Sequence, residues 1–310
     1  MSLGLGSLFA GQLKKVIKGD ETRIENFVFA LHEKWTFLII LVGLIFISSN
    51  NYLNSSAISC MGGDKYAESF CFLHGAAHIP KALEEQLSSV SRCTSDNETD
   101  DEKSVRRTNY YIWLPCLLTI CAVITKLPRI LWRNVLERGM MDRLVKDCSS
   151  DKEDATTKVA KRFFRTTIRG RHSWQPYVYN YGFALCECLN LVAICVNQSI
   201  LNRLLNHEFL GYGLRVQQFL GFQYDPEMPE DRGPDNPLCH LFPTEVSCTV
   251  YTGAITGAAN KHNILCLLSN NVFNQYFFLV LWWWWLLLAV LSCLGLVYRT
   301  VQLCVPAVSR

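Results

Sequence analysis

Charge is scarce in this chain. Of 310 residues only 18% are Asp, Glu, Lys or Arg, and the formal net charge is +3. So small a surplus gives no electrostatic footing on a phosphate backbone, and nucleic acid is not expected as a partner. Catalytic signatures are also missing. No GxSxG, P-loop, GxGxxG or HExxH occurs, and no Ser/His/Asp grouping stands out. An enzyme is therefore not expected, and no cofactor is implied. The start, MSLGLGSLFAGQLKK, has no basic stretch ahead of its apolar residues and then turns polar, unlike a cleavable signal peptide. Gly is not at position 2, which excludes the myristoylation pattern. The first apolar run is thus expected to act as the insertion signal and to remain in the mature protein.

Apolar residues are abundant, at half the chain. They gather into four runs instead of spreading at amphipathic spacing. A helix needs roughly 20 apolar residues to cross a hydrocarbon core of about 30 Å. The expected spans are 35–53, 110–132, 181–205 and 272–298. The last is clearest, being uncharged from Phe277 to Val297 and carrying Trp282-Trp283-Trp284-Trp285. That tetrad suits lipid contact and interhelix packing better than a ligand cage. Pro115 sits one turn inside the second span, where a mild bend outweighs a break. The third span is the most polar, with Glu187, Asn190, Asn197, Gln198 and Asn202. Such a set belongs against other helices or water.

Lys and Arg set the orientation. Residues 1–34 hold five and 133–180 hold eleven, against six in 54–109 and three in 206–271. Both termini and the central loop are therefore expected in the cytoplasm. The organisation is an N-terminal segment (1–34), outer loops at 54–109 and 206–271, a helical cytoplasmic loop at 133–180, and a short tail at 299–310. Membrane lipid is the immediate partner, and the plasma membrane the expected location.

Cys60, Cys71 and Cys93 fall in the first outer loop, and Cys239, Cys248 and Cys266 in the second. In an oxidising exterior, three bridges would clamp the loops into a rigid cap. Six cysteines permit many pairings, and spacing alone cannot choose among them. The other eight read as small apolar residues, with palmitoylation of Cys304 the main exception. Asn97-Glu98-Thr99 is a glycosylation acceptor in an exposed acidic stretch. Asn54-Ser55-Ser56 lies too near a span, and Asn197-Gln198-Ser199 lies within one.

Some constellations have a bland reading that wins. Cys71, His74 and His78 have zinc-like spacing but no evident fourth ligand, so no metal is expected. Glu187 is the sole acid within any span as drawn. A structural hydrogen bond or ion pair outweighs a dedicated functional role for it. Ahead of the first span, Ser2, Leu3, Leu5, Leu8 and Phe9 form a weakly amphipathic stretch. Lying on the membrane and narrowing a pore are equally open to it.

Several motifs carry a family resemblance that covers about Gly6 to Tyr298. Arg23-Ile24-Glu25-Asn26 and Phe29-Ala30-Leu31-His32-Glu33-Lys34 precede the first span, and Tyr110-Tyr111-Ile112-Trp113-Leu114, close to YYQWV, opens the second. Pro128-Arg129 and Leu131-Trp132 close that helix. Leu185-Cys186-Glu187-Cys188-Leu189-Asn190-Leu191 is near LCEFLNLV, and Phe242-Pro243, Cys248, Cys266 and Asn271-Val272-Phe273-Asn274 follow. Together these resemble the innexins, invertebrate gap-junction proteins similar in fold to the pannexins. The resemblance implies an all-α membrane protein: a four-helix bundle with disulfide-stapled outer loops forming a small α/β cap.

It also implies a large-pore channel subunit that passes ions and small metabolites, in gap junctions or unpaired hemichannels. Its partners would be copies of itself in a ring of about six to eight, other innexins, and a ring in an apposed cell. Cys60 would pair with Cys266 and Cys71 with Cys248, which leaves Cys93 and Cys239 for a third bridge. Ser2 to Phe9 would line the pore mouth, and sugar at Asn97 would hinder docking. The alternative is a four-span adhesion or scaffold protein without a conducting pore.

Overall fold

The computed structural model describes residues 26–52, 58–77, 107–137, 174–223, 236–253 and 259–304. Ser2, Leu3, Leu5, Leu8, Phe9, His78, Cys93, Asn97 and most of the central loop lie outside them. Among the described residues, four helices are long and apolar enough to cross a membrane: Phe27–Ser49, Tyr110–Leu136, Tyr181–Leu204 and Asn270–Gln302.

Each helix outruns the hydrocarbon length used to locate it. The first starts as α1 (Phe27–Ala30), passes through a π-helical turn, π1 (Leu31–Thr36), and continues as α2 (Phe37–Tyr52). It therefore begins well before Trp35, because His32, Glu33 and Lys34 are carried inside the helix. Asn26 caps it, its Oδ1 accepting from the Phe29 N–H at 2.9 Å. The second helix is α4 (Tyr110–Leu131), which ends in π2 (Trp132–Glu137). Pro115 does not interrupt it. The third is α5 (Trp174–Leu204), and the fourth is α8 (Asn270–Cys304).

Between α2 and α4 come β1 (Ser59–Cys60), α3 (Lys65–His74), β2 (Ala76–Ala77) and β3 (Arg107–Thr108). Between α5 and α8 come α6 (Tyr212–Gln223), α7 (Pro237–Leu241), β4 (Glu245–Gly253) and β5 (Ala259–Leu267). The strands make one antiparallel sheet in the order β1-β5-β4-β2-β3. The β4–β5 hairpin, from the second intervening segment, is thus sandwiched by strands of the first. Along β4, Val246, Cys248 and Val250 are buried while Ser247, Thr249 and Tyr251 are less so. That period of two marks a sheet with one covered face.

Contacts divide the chain into two units. One draws on Met1–Leu38, Ala122–Cys195 and Leu287–Arg310, the other on Ile39–Cys121 and Val196–Leu286. In the second unit an aromatic cluster supports the sheet. Phe242 stacks on Phe278 at 5.2 Å and meets Tyr110 and Tyr212 edge-on. Phe209 meets Phe278 and Trp285 edge-on. Phe242, Phe209, Phe278 and Trp285 are all fully buried.

Side chains near the start of α8 tie this cluster down. The Asn271 amide donates to the Pro243 carbonyl at 2.5 Å, and the Gln275 amide to the Phe242 carbonyl at 2.8 Å. The Tyr212 hydroxyl donates to the Gln275 carbonyl at 3.0 Å. Burial, and secondarily the nearby Tyr276, pushes the Tyr212 phenol above its ordinary pKa, so it stays a neutral donor. After α5 the chain reverses through Asn206 and His207, both at positive φ. Asn202 holds that reversal: its carbonyl accepts from His207 N–H at 2.6 Å and its Oδ1 from Leu210 N–H at 3.1 Å.

Candidate functional site

In the second unit, two disulfides join segments far apart in sequence. Cys60 and Cys266 are directly opposed in the β1–β5 ladder and bonded across it, 206 positions apart. Cys71 on α3 is bonded to Cys248 on β4, 177 positions away. The Tyr111 hydroxyl donates to the Cys71 carbonyl at 3.2 Å and so anchors α3 to the first turn of α4. Cys239, on α7, is also disulfide-bonded. The sulfurs of Cys60, Cys71 and Cys266 lie close together, but all three are spent in these bridges. A thiolate metal site there is excluded while the bridges stand.

Beside the sheet, α7 is held by His240, whose Nδ1 lies 2.9 Å from a Glu208 carboxylate oxygen. Arg215 in turn donates to the Glu208 carbonyl. The polar residues of the third helix turn inward here. Asn197 is buried and donates to the Cys121 carbonyl at 3.3 Å, while Gln198 is half-buried. Within the tryptophan tetrad, Trp282 and Trp285 are buried and Trp283 is exposed. The Trp282 indole donates to the Leu210 carbonyl at 3.0 Å.

The first unit holds a different arrangement: two acids, Glu33 buried and Glu187 half-buried, each paired with basic side chains on another helix. Glu33, on π1, pairs with Lys126 at 2.5 Å and with Arg129, both from α4. Lys126 also lies over the Phe37 ring at 4.2 Å. Glu187, on α5, pairs with Arg299 of α8 at 2.5 Å and accepts from the Asn26 amide at 2.5 Å. Arg299 stacks over Phe183, 4.9 Å from the ring centre. His32, on π1, shares a 2.6 Å hydrogen bond with the Ser292 hydroxyl on α8. Phe29, Trp132, Phe183 and Cys186 form a buried apolar cluster in the same unit. A small cavity remains, lined by Asn26, Val28, Phe29, His32, Glu187, Asn190, Ser292, Gly295 and Leu296.

Chemically the first unit is a fastening. Its two acids, Glu33 and Glu187, are each paired with basic side chains from another helix. Of the residues singled out from sequence, Glu187 and Asn190 meet around this cavity, whereas Asn197 and Gln198 belong to the other unit. Glu33, Lys126, Arg129 and Arg299 were not singled out as a network. The available signal was a His-Glu-Lys triplet immediately before an apolar run, and two cations near the end of another. Among the described residues, Cys116, Cys121, Cys186, Cys188, Cys195 and Cys293 are outside any disulfide, and Cys121 and Cys186 are buried.

Comparison with known proteins adds a second line of observation. The model of the family described as Innexin matches residues 25–310. The chain is 27% identical over 269 residues to Innexin inx1 of Drosophila melanogaster, covering 86% of this chain and 72% of that protein. It is 28% identical over 306 residues to Innexin inx1 of Schistocerca americana, covering 96% and 81%. Innexin shaking-B of Drosophila melanogaster is 26% identical over 304 residues, covering 95% and 78%.

Proposed function

The chain belongs to the innexin family, and from that membership we propose that its copies close into a ring around a wide pore and dock, cap to cap, with a ring in an apposed cell. Innexins are gap-junction proteins, and this chain is a multi-pass channel subunit of that family at the plasma membrane. Its role is conduction through an assembly, not turnover of a substrate.

The observation that carries the docking proposal is the covalent union of both outer segments in one sheet by Cys60–Cys266 and Cys71–Cys248. Docking two rings needs surfaces held in fixed register on every subunit, and a stapled cap supplies that rigidity. A ring of about six to eight copies satisfies closed symmetry, and other innexins fit the same positions. Cys93 is the proposed partner of Cys239. Ser2, Leu3, Leu5, Leu8 and Phe9 are the proposed pore-mouth residues, with small glycines between them suited to packing about an axis. Acids outnumber bases in both outer loops, nine to six and seven to three, which favours cations at the mouth. A glycan on Asn97 would hold rings apart and favour hemichannels.

Expression in oocytes tests this reading. Current between paired cells is expected, and current in single cells would mark the undocked ring. Absence of both, with the protein at the surface, would overturn the conducting role. A cysteine scan from Ser2 to Phe9 is expected to make current sensitive to a thiol reagent applied through the pore. Insensitivity at every position would remove those residues from the lining.

A further inference from the structure

The cavity of the first unit contains one polar group without a partner. Asn190, on α5, is only 4% exposed, lines the cavity, and makes no hydrogen bond among the described residues. Its neighbours there are engaged elsewhere: His32 with Ser292, and Glu187 with Asn26 and Arg299. An amide facing such a cavity calls for a hydrogen-bonding partner, from the protein or from water.

The lining restricts what could satisfy it. A cation would add positive charge where Glu187 is already matched by Arg299. An anion would meet the Glu187 carboxylate. An apolar occupant would leave the amide unsatisfied. The space accommodates about one water molecule. The Ser292 hydroxyl keeps bonding capacity beyond its contact with His32, because a hydroxyl carries one donor and two acceptor positions.

We propose that this cavity is a built hydration site, in which one water molecule is held by the Asn190 amide and shared with the Ser292 hydroxyl and the Glu187 carboxylate. The water joins α5 to α8, on which Ser292 already holds His32 of π1. It makes Asn190 the third arm of a junction whose other arms are direct side-chain bonds. The site is independent of ring size and of docking.

Two measurements on the purified oligomer in lipid nanodiscs test it. A density map that resolves ordered water is expected to show a peak about 2.7–3.2 Å from the Asn190 amide. An amide turned away from an empty cavity would overturn the proposal. A peak at about 2.4 Å from several oxygens, the spacing of a hard cation, would overturn it equally. Hydroxyl-radical footprinting supplies the second measurement, since a trapped water generates radicals beside it. Phe29, 1% exposed and lining the site, is expected to be modified in the native protein. In Asn190→Leu, which keeps the branched shape and removes the amide, that modification should fall severalfold. Unmodified native Phe29, or modification unchanged in the variant, refutes the site. Should Asn190→Leu not assemble, the native density and footprint still decide.

Discussion

Arg299 holds Glu187 through both carboxylate oxygens: Nε lies 2.5 Å from Oε2, and Nη2 lies 3.2 Å from Oε1. The two residues are 112 positions apart, so the pair fastens α5 to α8. Breaking one side of a largely buried pair strands the other charge, at a cost of roughly 3 kcal/mol. Arg299→Leu should therefore lower the thermal stability of the solubilised oligomer by about that much. Adding Glu187→Gln should recover much of the loss, because a neutral amide tolerates the missing cation. A thermal ramp read by size-exclusion chromatography checks both. If the double variant is as unstable as Arg299→Leu, the carboxylate is not what Arg299 serves.

Glu33 makes a similar argument with the charges reversed. It faces Lys126 and Arg129, and removing it leaves two cations without their acid. Glu33→Leu should destabilise by roughly 3 kcal/mol or more. Glu33→Asp, too short to reach both cations at once, should fall between the two. The same thermal ramp reads the series. Equal stability across all three proteins would show that the triad contributes nothing net.

The spans were legible because bilayer thickness fixes their length, and length needs only composition to be read. Where helices start was not. Trp35 looked like the beginning of the first helix because His32, Glu33 and Lys34 look like a solvated approach. Their partners, Lys126, Arg129 and Ser292, come about 90 or more residues later, and no local pattern announces them. The inward turn of Asn190, Asn197 and Asn202 was legible, since amides so frequent in one span must avoid lipid. That Asn190 and Asn197 fall in different units was not, because helical periodicity gives a face and not a depth. The presence of a stapled cap was readable from six cysteines in two loops. Which ones pair requires the strand register, seen in Cys60 opposite Cys266.

The Cys71–Cys248 bridge spans 177 positions and links the only helix between β1 and β2 to the middle of the sheet. Cys71→Ser should cost about 2–5 kcal/mol and reduce delivery to the cell surface, read by surface biotinylation. Non-reducing peptide mass spectrometry should find Cys71 joined to Cys248 in the native protein. Normal surface delivery and normal junctional current in Cys71→Ser would mean that the sheet alone holds the cap.

Gly213 gives the sharpest packing test. A Cβ built there would lie 2.2 Å from Cε3 of Trp282, inside any tolerable contact. The ring cannot retreat cheaply, because its indole N–H is bonded to the Leu210 carbonyl at 3.0 Å. Gly213→Ala should thus force the indole aside, break that bond and cost about 1–3 kcal/mol. Gly221, on the same helix α6, meets nothing within 4 Å. Gly221→Ala should stabilise by about 0.5–1 kcal/mol through helix propensity alone. Opposite signs at two glycines eight residues apart, in the same thermal assay, are what close contact with Trp282 requires. If Gly213→Ala is also stabilising, that contact is not present in the folded protein.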